Sequence, residues 1–318
     1  MRAFAVRRGE NHPDLVGRIL CHDVRGVFRK GHVLRAEDIP VLIGASWDEL
    51  HLLELAPGDV AQREAGERLA KMLVAPGLQI APARHRHVLK ATHNGLLRID
   101  AQALQRLNGI PGIAVYTLAD GTVVSSDQVV AEAQITPLAI ERRALERAEA
   151  AGPIVKLLAF APRNAVVFTR DDRILRALIG KLRWFGCEVR DVLDLASFRE
   201  ALEQRRETLF IVSGSNALDP LDPVFRALEQ IGATMQRVGM PVHPGTLLWI
   251  ARWKNAAIVG LPSCGLGVQI TAFDLVLPKI LAEGGIGDDE IAALGHGGIL
   301  THARARIVDE EPADEPVR

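Results

Sequence analysis

Aromatic side chains are scarce in this chain: one Tyr, four Trp and nine Phe make up 4% of its 318 residues. Platforms that stack nucleic-acid bases are built from such rings, so base recognition is disfavoured. An excess of one charge is lacking too. The 38 Lys and Arg nearly balance 39 Asp and Glu, a formal net charge of −1. No basic surplus exists to neutralise a phosphate backbone. The three cysteines, Cys21, Cys187 and Cys264, are spaced too widely for a disulfide framework or a CxxC metal site. No apolar run approaches the ~20 residues of a membrane span, and the opening MRAFAVRR lacks the apolar centre of a signal peptide. The expectation is a cytoplasmic protein with no nucleic-acid and no membrane partner.

What is present is enough apolar residue, 48% of the chain, for two domains with proper cores. Residues 1–152 are short apolar runs broken by Gly, Pro, Asp and Asn, which predicts an α+β, β-rich domain, a small barrel or sandwich with peripheral helices. Residues 61–74 form a helix stopped by Pro76-Gly77, and Asp100 caps another over 100–107. Asp120-Gly121 signals a hairpin turn. The basic stretch 84–90 places His85 and His87 on one strand face. It is a solvated face, a basic rim for an anionic ligand, or part of a metal site whose third ligand is missing nearby. A charged connector helix over 141–151 ends at Gly152-Pro153, the expected domain boundary.

From residue 153 to 300 strands and helices alternate, which predicts an α/β domain with a mainly parallel sheet covered by helices on both faces, a three-layer α/β/α arrangement. Ligands of such sheets lie at the carboxyl ends of the strands. Three loops therefore become candidates. The first is Thr169-Arg170-Asp171-Asp172, where Asp171 is the freer carboxylate and Asp172 a helix cap. The second holds Ser213, Gly214, Ser215 and Asn216, small enough for backbone amides to approach a ligand, followed by Asp219 and Asp222. Those two carboxylates suit Mg²⁺, which takes one or two carboxylates plus ligand phosphates; equally, Asp222 before Pro223 is a helix cap. The third, Pro262-Ser263-Cys264-Gly265, lies between a buried strand at 256–260 and a helix over 268–282. Unpaired amides at that helix start make an anion site. Ser263 or Cys264 as a nucleophile would need a base, His243 or His296; Cys264 as a small packing residue is the plainer reading. Gly295-His296-Gly297-Gly298 is either an arm over the site or a C-terminal loop, and the acidic tail within 301–318 reads as disordered.

Taken together the loops resemble the molybdopterin-binding domain shared by molybdenum insertases and molybdopterin adenylyltransferases. The resemblance rests on Ile211-Val212-Ser213-Gly214 with Asp219 and Asp222, on Pro244-Gly245, and on Gly260-Leu261-Pro262. In the N-terminal half His22-Asp23, Lys30-Gly31-His32-Val33-Leu34, Glu37-Asp38-Ile39-Pro40, Asn94-Gly95-Leu96-Leu97 and Ile110-Pro111-Gly112 follow the insertase-like order. Phe273-Asp274-Leu275-Val276-Leu277-Pro278 and Ala293-Leu294-Gly295-His296 match the same subgroup. The chain departs from the family pattern where Arg170 replaces a glycine, Ser215 the second glycine of Ser-Gly-Gly, and Ser263-Cys264 a Gly-Asn pair.

The resemblance implies a protein of molybdenum-cofactor biosynthesis that binds molybdopterin or its nucleotide, with an insertase-like transferase as its active form. Asp171, Asp219 and Asp222 would be the catalytic carboxylates, Mg²⁺ or molybdate would sit by Asp219 and Asp222, and Thr169, Asp172, Ser213, Gly214, Ser215, Asn216, Pro262, Ser263, Cys264 and Gly265 would hold the pterin. It also implies a homo-oligomer. The alternatives are a non-catalytic carrier that hands the cofactor to a molybdoenzyme, and an unrelated nucleotide-binding protein on the same fold.

Overall fold

The computed structural model describes residues 1–9, 14–83, 86–215, 218–262 and 270–300. His85, Asn216, Ser263, Cys264, Gly265, the helix start expected at Val268 and the tail after residue 300 lie outside the described residues. The chain divides into two compact units, Met1–His93 with Leu97–Leu157, and Asn94–Leu96 with Leu158 onward.

The first unit, which takes the strand at Gly95–Ile99 from Leu97 on and the strand at Val155–Ala159 up to Leu157, mixes small sheets with helices. In chain order it runs β1 (Arg2–Arg7), β2 (Ile19–Leu20), α1 (Asp38–Gly44), β3 (Glu49–Glu54), β4 (Asp59–Ala61), α2 (Gln62–Leu73), β5 (Leu78–Ala83), β6 (Arg86–Ala91), β7 (Gly95–Ile99) and α3 (Ala101–Asn108). It continues with β8 (Ile113–Thr117), β9 (Val123–Val124), β10 (Val129–Ile135), β11 (Ala139–Glu141), α4 (Arg142–Glu149) and β12 (Val155–Ala159). The strands form sheets ordered β1-β3-β2, β5-β6-β10-β8, β11-β4 and β12-β7-β9. Helix α2 buries Ala65, Leu69 and Leu73, one stripe at a spacing of four, into the core that also holds Leu89, Leu97, Val115 and Leu145. Asp100 caps α3 as expected, its side chain accepting from the Ala103 amide at 2.8 Å.

The Asp120-Gly121 hairpin is corrected. The turn forms, but β8 and β9 on either side of it belong to different sheets. Gly121 N donates to Leu97 O (2.8 Å), Leu97 N donates to Thr122 O (2.9 Å), and the Asp120 carboxylate accepts the Ile99 amide. The turn therefore feeds β9 onto β7, while β8 pairs with β10. A dipeptide fixes the bend but not the partner.

In the second unit come β13 (Asn164–Phe168), α5 (Asp172–Trp184), β14 (Glu188–Leu193), α6 (Phe198–Gln204), β15 (Leu209–Ser213), α7 (Pro223–Gln230), β16 (Thr234–Val238), β17 (Trp249–Trp253), β18 (Ala256–Leu261), α8 (Ala272–Glu283) and α9 (Asp288–Ala293). The sheet order is β14-β13-β15-β18-β17-β16. The first four strands are parallel, and β17 pairs antiparallel with both β18 and β16. Every residue of β15 and β18 is buried, so both faces of the sheet centre are covered. Phe198, Leu202, Val224 and Leu228 of α6 and α7 pack on the face bearing Val166, Phe168, Phe210, Val212 and Ile258.

Strand order also decides where a crevice can form. The chain leaves β13 toward β14 on one side, then returns past it to β15 on the other. Right-handed crossovers running in opposite directions put their helices on opposite faces. That reversal leaves a crevice at the carboxyl ends of β13 and β15.

Helix α8 is capped at Thr271. Thr271 and Asp274 form a capping box: Thr271 N donates to Asp274 Oδ2 (2.8 Å) and Phe273 N to Thr271 Oγ1 (3.2 Å). Its end is as expected, with Gly284 in the left-handed region at φ 82°.

Candidate functional site at the carboxyl edge of the sheet

The ends of β13, β15 and β18 lie side by side, with Phe168 in register with Val212 and Ser213 with Leu261. The three candidate loops leave from these ends, and their described residues can be placed one by one.

After β13, Thr169 N donates to Leu193 O and Thr169 Oγ1 accepts the Asp171 amide at 3.1 Å. The roles expected of the two following carboxylates are exchanged. Asp171 is the cap of α5, its Oδ1 accepting Arg173 N (2.9 Å) and Ile174 N (3.3 Å), while Asp172 is the exposed first residue of the helix. The backbone amide of Arg173, then that of Ile174, holds the Asp171 carboxyl below the usual range. Arg170 is paired with Asp194 beyond β14. Asp194 also accepts Ala196 N at 3.0 Å, so it organises the neighbouring turn. Sequence pattern gives Asp194 no role, because its partner lies 24 residues away.

At the end of β15, Gly214 has φ 92° and donates its amide to Leu261 O (3.1 Å), bending the chain over β18. Ser213 and Ser215 are buried, and Ser215 Oγ has no hydrogen-bond partner among the described residues. The carbonyl of Ser215 accepts the indole N–H of Trp249 at 3.3 Å. Asp219 is exposed and closes a turn, with its Oδ1 accepting Leu221 N and its carbonyl accepting Asp222 N. Asp222 caps α7, its Oδ1 accepting Val224 N at 2.8 Å, with Pro223 in the first turn.

Beyond β18, Pro262 is buried. The anion site read at the start of α8 is corrected. Ala272 N donates to Pro244 O (2.9 Å), Phe273 N to Thr271 Oγ1, and Asp274 N to Thr271 O (3.0 Å). The first amides of this helix are occupied by the protein, because the capping box and the Pro244-Gly245 turn reach them first. Gly245 is there for space: a Cβ would stand 2.6 Å from that of Ala272. Of the proposed bases, His243 pairs its backbone with Gly298 and Leu300. This docks the Gly295-His296-Gly297-Gly298 segment on the unit as a loop, with Gly298 so close to Pro241 O that a Cβ would be 2.3 Å away.

Among the described residues no group of three or more His, Cys, Asp or Glu side chains has the arrangement of a metal site. Asp219 and Asp222 each commit one oxygen to a backbone amide. The described donor set thus does not fit Mg²⁺ or molybdate.

Residues 14–54 match the family model of a domain of unknown function, DUF8806. No curated protein matches the chain. Among solved structures, the chain is similar to a molybdopterin biosynthesis MoeA protein from Pyrococcus horikosii, at 16% identity and a TM-score of 0.32, over 70% of this chain and 79% of that one. A molybdenum cofactor biosynthesis protein from Pyrococcus furiosus aligns at 16% identity and a TM-score of 0.27, covering 73% of each chain. Superpositions this loose assign no residue a role. No helix among the described residues is long and apolar enough to cross a membrane.

Proposed function

We propose that this chain binds molybdopterin or a molybdopterin nucleotide at the carboxyl edge of the six-stranded sheet, in the service of molybdenum-cofactor biosynthesis. The observation that carries the reading is the turn after β15. Ser213, Gly214 and Ser215 sit at the strand reversal, the backbone there is bent through a positive φ, and a buried hydroxyl is left without a partner among the described residues. An unpaired buried hydroxyl costs free energy unless a ligand takes it up. Thr169 and Pro262 flank this turn on the adjacent strand ends.

Two forms of the reading remain, transferase and carrier, and one observation favours the carrier. Asp171 and Asp222 are both helix caps, so they serve the fold whatever is bound. Of the three expected catalytic carboxylates that leaves Asp219, exposed in its turn with one oxygen on Leu221 N, to meet a ligand beside the exposed Asp172. Binding by positioned hydrogen-bond donors needs no more than this edge supplies.

Calorimetric titration of the full chain with molybdopterin, with and without Mg²⁺ and repeated on Asp219→Ala, tests both forms. Tight binding indifferent to Mg²⁺ and to the substitution supports the carrier. Binding weakened by Mg²⁺ removal and by the substitution supports a metal-using transferase. Absence of binding removes the molybdopterin assignment, and competition by ATP would turn it into a general nucleotide site.

A further inference from the structure

The first unit contains a cavity of about 650 Å³ that has no part in the sheet-edge site. Its walls come from residues far apart in sequence: Lys30 to Arg35 before α1, Gln62, Arg63, Gly66 and Glu67 at the start of α2, Arg86 and His87 on β6, and Ile135 and Leu138 beyond. Four cationic side chains, Lys30, Arg35, Arg63 and Arg86, thus line one cavity beside a single carboxylate, Glu67. The chain as a whole carries a formal charge of −1, so this surplus is local.

Three of the cations are partly neutralised. Arg35 meets Glu37 at 3.4 Å, Arg63 meets Glu67 at 3.2 Å, and Arg86 meets Glu132 at 3.1 Å. Lys30 is different. Its backbone is pinned, with Lys30 N donating to Asp23 Oδ1 (2.7 Å) and the next amide, that of Gly31, to Leu20 O (2.7 Å). Its ammonium has no acidic partner among the described residues. Beside it the His32 ring is held by Asp38 Oδ2 at 2.7 Å and stacked on Phe28 at 4.7 Å. Across the cavity His87 is half-buried and also without a hydrogen-bond partner among the described residues. Helix α2 makes room for it: a Cβ on Gly66 would stand 2.9 Å from His87 Nε2. Cationic and imidazole donors without partners, around a space of ligand size, are the features of an anion site.

We propose that this cavity binds a phosphorylated small molecule, with Lys30 and His87 as its principal phosphate contacts. Apart from its two imidazoles the wall holds no aromatic ring among the described residues, so it offers no platform for a nucleobase. Recognition is of the phosphate and of a compact polar body. The site is independent of the sheet edge, whose residues all belong to the other unit.

The test is titration of the full chain with orthophosphate, pyrophosphate and ribose 5-phosphate, read by calorimetry and by the imidazole signals of His87 in NMR. Orthophosphate alone distinguishes capture of the free ion from recognition of an organic phosphate. The expected result is saturable binding of at least one of the three, weakened about tenfold or more by Lys30→Ala, as for loss of a charge-assisted contact, and unchanged by Ser215→Ala. The His87 signals move with the same saturation curve. Lys30 is exposed, so Lys30→Ala keeps the wild-type melting temperature. Absence of saturable binding by all three overturns the site, as does binding indifferent to Lys30→Ala. Binding lost with Ser215→Ala but retained by Lys30→Ala would move the phosphate to the sheet edge and equally overturn it.

Discussion

The indole of Trp249 occupies the space in which a side chain on Gly260 would stand. The two residues are paired across β17 and β18, and a Cβ on Gly260 would lie 1.8 Å from Trp249 Cε2. Trp249 is fully buried, and its N–H reaches the carbonyl of Ser215. The glycine that the sequence offers as part of a ligand loop thus has a packing reason. It lets a tryptophan lie flat over β18 and hold the turn after β15 from beneath.

Gly260→Ala is therefore expected to be strongly destabilising. The added methyl meets a ring that is boxed in by Phe225 at a centroid distance of 5.2 Å, so neither partner has room to move. Overpacking of a tight core costs about 1–3 kcal/mol, and this contact belongs at the upper end or beyond. Urea denaturation followed by tryptophan fluorescence would measure it; a variant as stable as wild type would contradict the packing.

Ser215→Ala separates ligand binding from stability. Removing a buried hydroxyl with no partner relieves its desolvation cost, so stability should stay level or rise by up to about 1 kcal/mol. Molybdopterin affinity should fall in the same variant if the hydroxyl is a ligand contact. A loss of stability would mean that Ser215 Oγ is already satisfied within the fold.

The carboxylates at the sheet edge should divide into two kinds. Asp171→Ala and Asp222→Ala each remove a helix cap and should cost about 1 kcal/mol. Asp219→Ala removes only a turn contact at an exposed residue and should cost less than about 0.5 kcal/mol. Thermal melts of the three variants decide this, and a large loss at Asp219 would make it structural.

Much of the second unit is legible in the sequence wherever the signal is local. Asp222-Pro223 announces a helix start, as Asp100 does in the first unit, because cap and helix are adjacent in the chain; Gly284 announces an end because only glycine takes its φ freely. Local signals fail by small steps when two residues compete, as Asp171 and Asp172 do for one cap. The Thr271-x-x-Asp274 box marks where α8 begins. Partners remote in sequence leave no signal at all. Nothing in Asp120-Gly121 says that β9 will pair with β7, and nothing in Lys30 says that it will face the same cavity as His87. The stretch 84–90, which its sequence leaves open as a solvated face or a basic rim, is the one hint of that cavity, which Arg86 and His87 line.

Acid should weaken the pairing of α2 with α4 in a defined direction. Arg68 and Glu149 form a two-pronged bridge, Nε to Oε1 at 2.8 Å and Nη2 to Oε2 at 2.7 Å. The Arg68 hydrogen bonds hold the Glu149 carboxyl below the usual glutamate range. A lowered carboxylate pKa contributes stability that is complete above its unfolded value of about 4.3 and is lost as pH falls through the folded one. Glu149→Gln should cost about 0.5–1 kcal/mol at pH 7, solvent screening included, and nothing once the carboxylate is protonated. Stability curves of the two proteins that run parallel from pH 7 to pH 3 would contradict this.

Gly66→Ala tests the cavity from the helix side. Alanine favours a helix interior over glycine by about 1 kcal/mol, but Gly66 is buried and the new methyl presses on His87, 2.9 Å from Nε2 and 3.1 Å from Cδ2. The ring is the far end of a side chain that borders open space, so it can swing into the cavity rather than strain the helix. Stability should therefore be unchanged or slightly higher, while the His87 resonances shift and phosphate binding weakens severalfold. A marked loss of stability would show that His87 has nowhere to go, and that the space beside it is closed to a ligand as well.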